Sequence, residues 1–170
     1  MLATSLLMVA LAATGFAQTT IPTGYRAVYM TSLQDAKFVI VPKARTTGST
    51  LVVQTRTTKG DQVWWVKDGN STIQLADTTL CMDAGAKSNW KDMGAISIKD
   101  CSATEVAQQW NVMADGRIAL TASSPQECID LQYLRATQNN PVGLYACAGL
   151  NNSGAKDKGI NWPLVNATAV

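Results

Sequence analysis

Two short words carry acidic groups at matching places of this chain: Cys81-Met82-Asp83 and Cys128-Ile129-Asp130, 47 residues apart. Each sets a carboxylate two places after a cysteine. The composition limits what such groups can do. There is no histidine, so Ser-His-Asp and Cys-His nucleophiles are absent. A zinc centre wants closely spaced thiolates or imidazoles, and the chain has no Cys-x-x-Cys. Cleaving a glycosidic bond takes two carboxylates flanking one cleft. The sole glutamates are Glu105 and Glu127, and Asp83 and Asp130 fall in different segments. No catalytic residue, metal or cofactor is implied. Asp83 and Asp130 are left as hydrogen-bond acceptors, either for a ligand or for their own backbone in a turn.

The elements that position them repeat. Gln62-Val63-Trp64 and Gln108-Gln109-Trp110 share the pattern Gln-x-Trp, and Ile160-Asn161-Trp162 ends the same way. The tryptophans are 46 and 52 residues apart; Cys101 and Cys147 are 46 apart. Trp64 is followed by Asp68-Gly69 and Ile73-x-Leu75, and Trp110 by Asp115-Gly116 and Ile118-x-Leu120. A period in the forties marks one unit used three times. The units run approximately over 24–66, 70–112 and 116–164. Short β-rich runs fill them: Phe38–Val41, Thr50–Thr55, Val63–Val66, Ala95–Ile98, Arg117–Leu120 and Gly143–Ala146. Polar clusters such as Lys67–Ser71, Thr121–Gln126 and Asn139–Pro141 read as the turns between them. The expectation is an all-β barrel with pseudo-threefold symmetry. The three tryptophans are expected to form its shared core, with each glutamine satisfying backbone groups.

Residues 1–17 carry no charged side chain, and small residues Gly15 and Ala17 precede Gln18. That layout predicts a secretory signal cleaved after Ala17, with a single domain over 18–170. The apolar stretch is short of the roughly 20 residues that span a bilayer, so no membrane insertion is expected. The net charge is +2, and the 14 basic residues are scattered, which argues against nucleic acid as a partner. Four cysteines in a secreted chain predict two disulfides. The repeat selects Cys81–Cys101 and Cys128–Cys147, each within one unit. The first unit has Phe38 at the first cysteine place and no cysteine near Val53. Asn70, Asn151 and Asn166 each begin an Asn-x-Ser/Thr word, a possible N-glycan site.

Repeated Cys-x-Asp, an internal disulfide and Gln-x-Trp together resemble the ricin B-type lectins, also called R-type or QxW carbohydrate-binding domains, over essentially the whole mature chain. The resemblance implies a β-trefoil: three ~45-residue repeats forming a six-stranded barrel capped by three hairpins. It implies a shallow sugar site in each competent unit, most commonly for galactose-type sugars. Such a site uses the Asp of Cys-x-Asp, an aromatic just before the second cysteine, and an Asn or Gln near Gln-x-Trp. A carboxylate accepts strong hydrogen bonds from adjacent hydroxyls, an amide both donates and accepts, and an aromatic face covers the C–H face of the ring.

Carried over residue by residue, the third unit offers Asp130 and Tyr145, with Asn140 before the strand. Ile160 replaces its Gln, leaving Asn161, or Asn151 and Asn152, to supply an amide. The second unit keeps Asp83 and Gln108. Lys99 holds its aromatic place, Ala107 replaces its Asn, and Trp90 is a substitute platform from a loop. The first unit, with Ile40 at the Asp place, is expected to be silent. Plainer roles stay open: strand packing for Tyr145, exposed loop for Trp90, a solvated strand residue for Lys99. Two function classes follow. One is a secreted, non-enzymatic sugar-binding protein. The other is a trefoil without sugar binding that serves as a protein-interaction or protease-inhibitor module.

Overall fold

The computed structural model describes residues 20–167. The signal expected over 1–17 lies outside the described residues, as does Thr168 of the last Asn-x-Ser/Thr word. The described residues form thirteen short strands, joined by loops and single turns of 3₁₀ helix, with no α-helix. The strands are β1 Arg26–Met30, β2 Phe38–Pro42, β3 Leu51–Thr55, β4 Trp64–Val66, β5 Gly69–Ser71, β6 Gln74–Leu75 and β7 Leu80–Asp83. They continue with β8 Ser97–Asp100, β9 Trp110–Val112, β10 Ile118–Leu120, β11 Glu127–Leu131, β12 Val142–Ala146 and β13 Leu164–Asn166. Each β-rich run read from the sequence holds or overlaps a strand. Lys67–Ser71, read as a turn, is half strand. Its Gly69 takes φ +76°, which completes the turn, and β5 then pairs at once with β9, Ser71 opposite Trp110.

Antiparallel pairing runs around a closed ring of six chain segments. β1 pairs with β4 and β4 with β6. β5, the other half of that split segment, pairs with β9, and β9 with β10. Arg117 beside β10 pairs with Asn161, and the Trp162 amide donates to Gly116 O at 2.8 Å. β13 returns to β1. Three hairpins, β2–β3, β7–β8 and β11–β12, cap one end. They join one another through Leu51 N to Ile96 O (3.0 Å), Leu144 N to Gly94 O (2.8 Å) and Val53 N to Asn140 O (3.0 Å). Each unit thus bonds to the other two, and the architecture is the β-trefoil.

Trp64, Trp110 and Trp162 are fully buried in one core with Ile40, Met82, Ile129 and their neighbours. Trp64 opens β4 and Trp110 opens β9, but Trp162 stands ahead of β13, because Pro163 has no N–H to extend the ladder. Each indole Nε1 donates to a hairpin carbonyl: Trp64 to Ile40 O at 2.9 Å, Trp110 to Met82 O at 3.1 Å, Trp162 to Ile129 O at 2.9 Å. Disulfides Cys81–Cys101 and Cys128–Cys147 tie the second and third hairpins.

Those three carbonyls correct the register of the first unit. Ile40 matches Met82 and Ile129, the middle residues of the two Cys-x-Asp words, so it does not hold the Asp place. Val39 stands at the cysteine place, Val41 at the Asp place, and Gln54, opposite Val39, at the aromatic place. Arg56 takes the second cysteine's place: its amide donates to Lys37 O as Cys101 N does to Thr79 O and Cys147 N to Gln126 O. The slip arises because the units differ in length. The step from hairpin carbonyl to tryptophan is 24, 28 and 33 residues, so a nearly constant period drifts by one residue, enough to exchange the faces of a strand.

Trp110→Ala removes a fully buried indole and the donor to Met82 O. The expected loss is about 3–5 kcal/mol, read by denaturant unfolding. A variant with wild-type stability that lost only ligand binding would place Trp110 in a site instead of the core.

Candidate functional site

In the third unit, β11 carries Asp130 and β12 carries Tyr145, opposite Cys128. Both line a pocket of about 370 Å³ with Tyr133, Leu134, Leu150 and Asp157. Asp130 is only 7% exposed, yet among the described residues nothing hydrogen-bonds to its carboxylate. Burial pushes its pKa up to about 7, helped by the charges of Asp157 and Asp92. Asp157 is held differently: one oxygen accepts from Leu150 N at 2.6 Å and the other from Gly159 N at 2.8 Å. Gly159 lets the two acids approach. A Cβ there would stand 2.6 Å from Asp130 Oδ1 and 3.2 Å from Asp157 Oδ1.

The rim is apolar and bent. Tyr133 (66% exposed), Leu150 (46%), Met93 (42%) and Leu134 (37%) all face this pocket, and they are half of the exposed large apolar side chains among the described residues. Monomer surfaces tend to keep such groups scattered, and clusters mark binding surfaces. Tyr133 and Leu134 lie at φ +60° and +54°, a left-handed backbone that bulky residues rarely adopt. Strain of this kind gathers at ligand sites.

The second unit presents the same frame filled from within. Asp83 is 2% exposed. Its Oδ1 meets Lys99 Nζ at 2.9 Å and accepts from Gly85 N at 2.8 Å, and its Oδ2 accepts from Gln108 Nε2 at 3.1 Å. Burial alone would raise its pKa; the bonds from Lys99, Gln108 and Gly85 outweigh it and hold the group below its ordinary value. Lys99 is therefore an ion-pair partner, not a free solvated side chain. Gln108 also accepts from Ser102 N at 2.9 Å and donates to Asp100 O at 3.0 Å. Gln62 spans the matching loop in the first unit, from Thr57 N (2.7 Å) to Thr55 O (3.0 Å). Trp90 is half-buried against the main core and donates to Gly85 O at 3.1 Å, so it is no exposed platform.

Two expected residues lie apart from the pocket. Asn140 donates to Gln132 O at 2.8 Å and shapes the turn into β12. Asn161 is 2% exposed and donates to Gly154 O and Asp157 O at 2.9 and 2.6 Å, holding the loop from beneath. Asn151 and Asn152 are exposed beside Leu150 but do not line the pocket. The structure brings together Asp130 and Tyr145 and adds Asp157, Tyr133, Leu134, Leu150 and Met93, which the motif did not point to. One sequence signal did exist for Asp157. It precedes Ile160 by three places, as Glu105 precedes Gln108, and each accepts from the amide two residues on, Gly159 N and Ala107 N.

Residues 72–158, most of the second and third units, match the Ricin-type beta-trefoil lectin domain. The chain belongs to this lectin family. Solved structures agree on the fold. The designed threefold-symmetric protein ThreeFoil superposes with TM-score 0.64 at 15% identity, covering 82% of this chain and 98% of that one. The C-terminal half of an earthworm R-type lectin, solved with GalNAc, gives 0.63 at 14%, covering 83% and 98%. The β-trefoil lectin of the Vibrio vulnificus hemolysin/cytolysin, with N-acetyl-D-lactosamine bound, gives 0.64 at 11%, covering 87% and 99%. No curated protein matches the chain in sequence.

The two acids of the lectin domain should respond oppositely to substitution. Asp130 has a raised pKa, so its contribution to stability is present below its unfolded value and is lost as pH climbs through about 7. Asp130→Asn should flatten the fall in wild-type stability between about pH 4 and pH 8, a difference on the order of 2–4 kcal/mol. Asp83→Ala should instead destabilise at neutral pH by about 1–3 kcal/mol, because buried donors lose their acceptor. Melting curves across pH check both.

Proposed function

We propose that the protein is a secreted, non-enzymatic lectin that binds a galactose-type sugar in the third-unit pocket. The observation that carries this reading is Asp130: a buried carboxylate with no protein donor, opening on a pocket walled by Tyr145 and Tyr133. Ionised, it accepts from two neighbouring hydroxyls of a sugar, bonds stronger than those between neutral groups. The tyrosines and the rim aliphatics cover the C–H face of the ring. A shallow pocket of this size suits affinity near the millimolar range, about −4 kcal/mol. The galactose type is favoured by the ligands of the two lectins of like fold, GalNAc and N-acetyl-D-lactosamine.

The second unit has its donors built in, and the first has Val41 in place of the acid, so neither offers an equivalent vacancy. Binding without catalysis is favoured because both Asp157 oxygens are already held by amides and both acids converge on Gly159, on one side of the pocket. Hydrolysis needs carboxylates flanking the bond. Secretion is supported by the leader pattern over 1–17 and by two disulfides, which persist in oxidising compartments.

A glycan array with the mature chain is the test. Wild type should bind terminal galactose-type sugars, and Asp130→Ala should lose the signal while staying folded. A charge-assisted bond contributes roughly 1.5–3 kcal/mol, enough to take a millimolar ligand beyond detection. Asp83→Ala, compared at a temperature where it is folded, should bind like wild type. If Asp130→Ala binds normally, the pocket assignment fails. If wild type binds no glycan, the trefoil acting through protein contacts becomes the better reading.

A further inference from the structure

The second and third units place a carboxylate at the same point of the same hairpin and surround it differently. Asp83 receives three donors: the Lys99 ammonium, the Gln108 amide and the Gly85 backbone N–H. At the corresponding places around Asp130, Tyr145 stands for Lys99 and Ile160 for Gln108. The amide of Gln132, two residues after Asp130 as Gly85 is after Asp83, donates to Pro141 O at 3.2 Å. All three donors are gone from the third unit, and Asp130 lines a pocket together with Tyr145. Its lining holds two acids, Asp130 and Asp157, and neither lysine nor arginine. Asp92 adds a third negative charge nearby; its Oδ1 accepts from Ala146 N at 2.9 Å.

A buried charge is tolerated when it is paired, and the second unit shows which partner this frame accepts: an ammonium 2.9 Å from the carboxylate. The upward pull on the Asp130 pKa fits the same deficit, since it reflects burial beside like charges with no cation. The walls suit a cation too. Tyr133 and Tyr145 offer aromatic faces, which attract cationic groups, and Tyr133 already carries the Arg135 guanidinium 5.6 Å from its ring centre.

We propose that the third-unit pocket selects sugars bearing a free, protonated amine, that is 2-amino-2-deoxyhexoses, over neutral hexoses and their N-acetyl forms. This rests on the sugar-binding reading above and narrows its ligand. The ammonium occupies the place that Lys99 Nζ takes in the second unit and donates to Asp130, with Asp157 adding field. The ring packs against Tyr145. N-acetylation deletes the charge and two of its N–H donors, so the acetylated sugar meets the two acids with much less to offer.

The test is titration calorimetry or ligand-observed NMR on the mature chain with galactosamine, galactose and N-acetylgalactosamine, at about pH 7, where an amine of ordinary pKa is still mainly protonated and a substantial share of Asp130 is ionised. Galactosamine should bind at least about tenfold more tightly than either other sugar, equivalent to about 1.4 kcal/mol, and the preference should shrink as salt rises. Asp130→Asn should abolish the preference. Tyr145→Lys should copy the second unit: the new ammonium pairs with Asp130, raises the melting temperature and excludes galactosamine. Equal binding of all three sugars, or a preference for the neutral or acetylated ones, overturns this proposal and leaves the sugar reading standing. If none of the three binds, and the glycan array is also blank, both fall.

Discussion

Three hydrogen bonds between an indole and a carbonyl hold this molecule together. In each unit the tryptophan that ends the Gln-x-Trp position is fully buried and donates to the central residue of the facing hairpin strand. That single contact joins barrel to cap, and it occurs once per unit. A buried indole needs its N–H satisfied, and an inward-facing strand carbonyl needs a donor where the ladder leaves one free. Each requirement meets the other. Because the bond fixes the middle residue of the strand, the residues on either side of it must face outward from the core. The cysteine and the acid of Cys-x-Asp are those residues. The position of each acid is thus a consequence of core packing, whatever the acid then does.

From that shared frame the second and third units diverge. Asp83 is enclosed by donors and acts as a structural ion pair. Asp130 is buried almost as deeply and lacks every one of those donors. Removing partners from a buried charge costs stability, so Asp130 is held at a local cost that Asp83 is spared. Such local cost is expected where a protein keeps a group ready for a ligand. The surrounding construction compensates by limiting motion. The Cys128–Cys147 bridge closes the β11–β12 hairpin, Asp157 clamps both ends of the 150–159 loop, and Asn161 ties the same loop from below.

The fold was largely readable in the sequence because its period is enforced by packing. Trp64, Trp110 and Trp162 had to recur, and the cysteines had to follow the hairpins. The register of the first unit was not readable, since its shorter loops shift the count and Phe38 and Val39 are equally apolar. The candidate pocket was half readable. Asp130 and Tyr145 follow from the motif, but the amides Asn140 and Asn161 were misplaced because a buried Asn bonding backbone has the same letter as one facing a ligand. The rim escaped for a related reason. Tyr133, Leu134, Leu150 and Met93 come from three separate loops, and no spacing rule joins them.

Their convergence also explains why the backbone bends there. For Tyr133 to stand outside the barrel while Leu131 and Asp130 keep their strand positions, the chain must turn sharply within two residues. Left-handed φ at both Tyr133 and Leu134 achieves this. A glycine would do so more cheaply, yet it would remove the side chains that wall the pocket. A bulky residue in a strained conformation at a rim, combined with a buried acid lacking donors, concentrates two unfavourable local terms on one side of the third unit. The second unit has neither strain at the place matching Tyr133, where Ala86 lies at φ −62°, nor an unpaired acid. The difference between the two units is therefore one of side-chain supply within a common frame. In one, the chain supplies the carboxylate's partner; in the other, it supplies the apolar walls of a pocket and no donor.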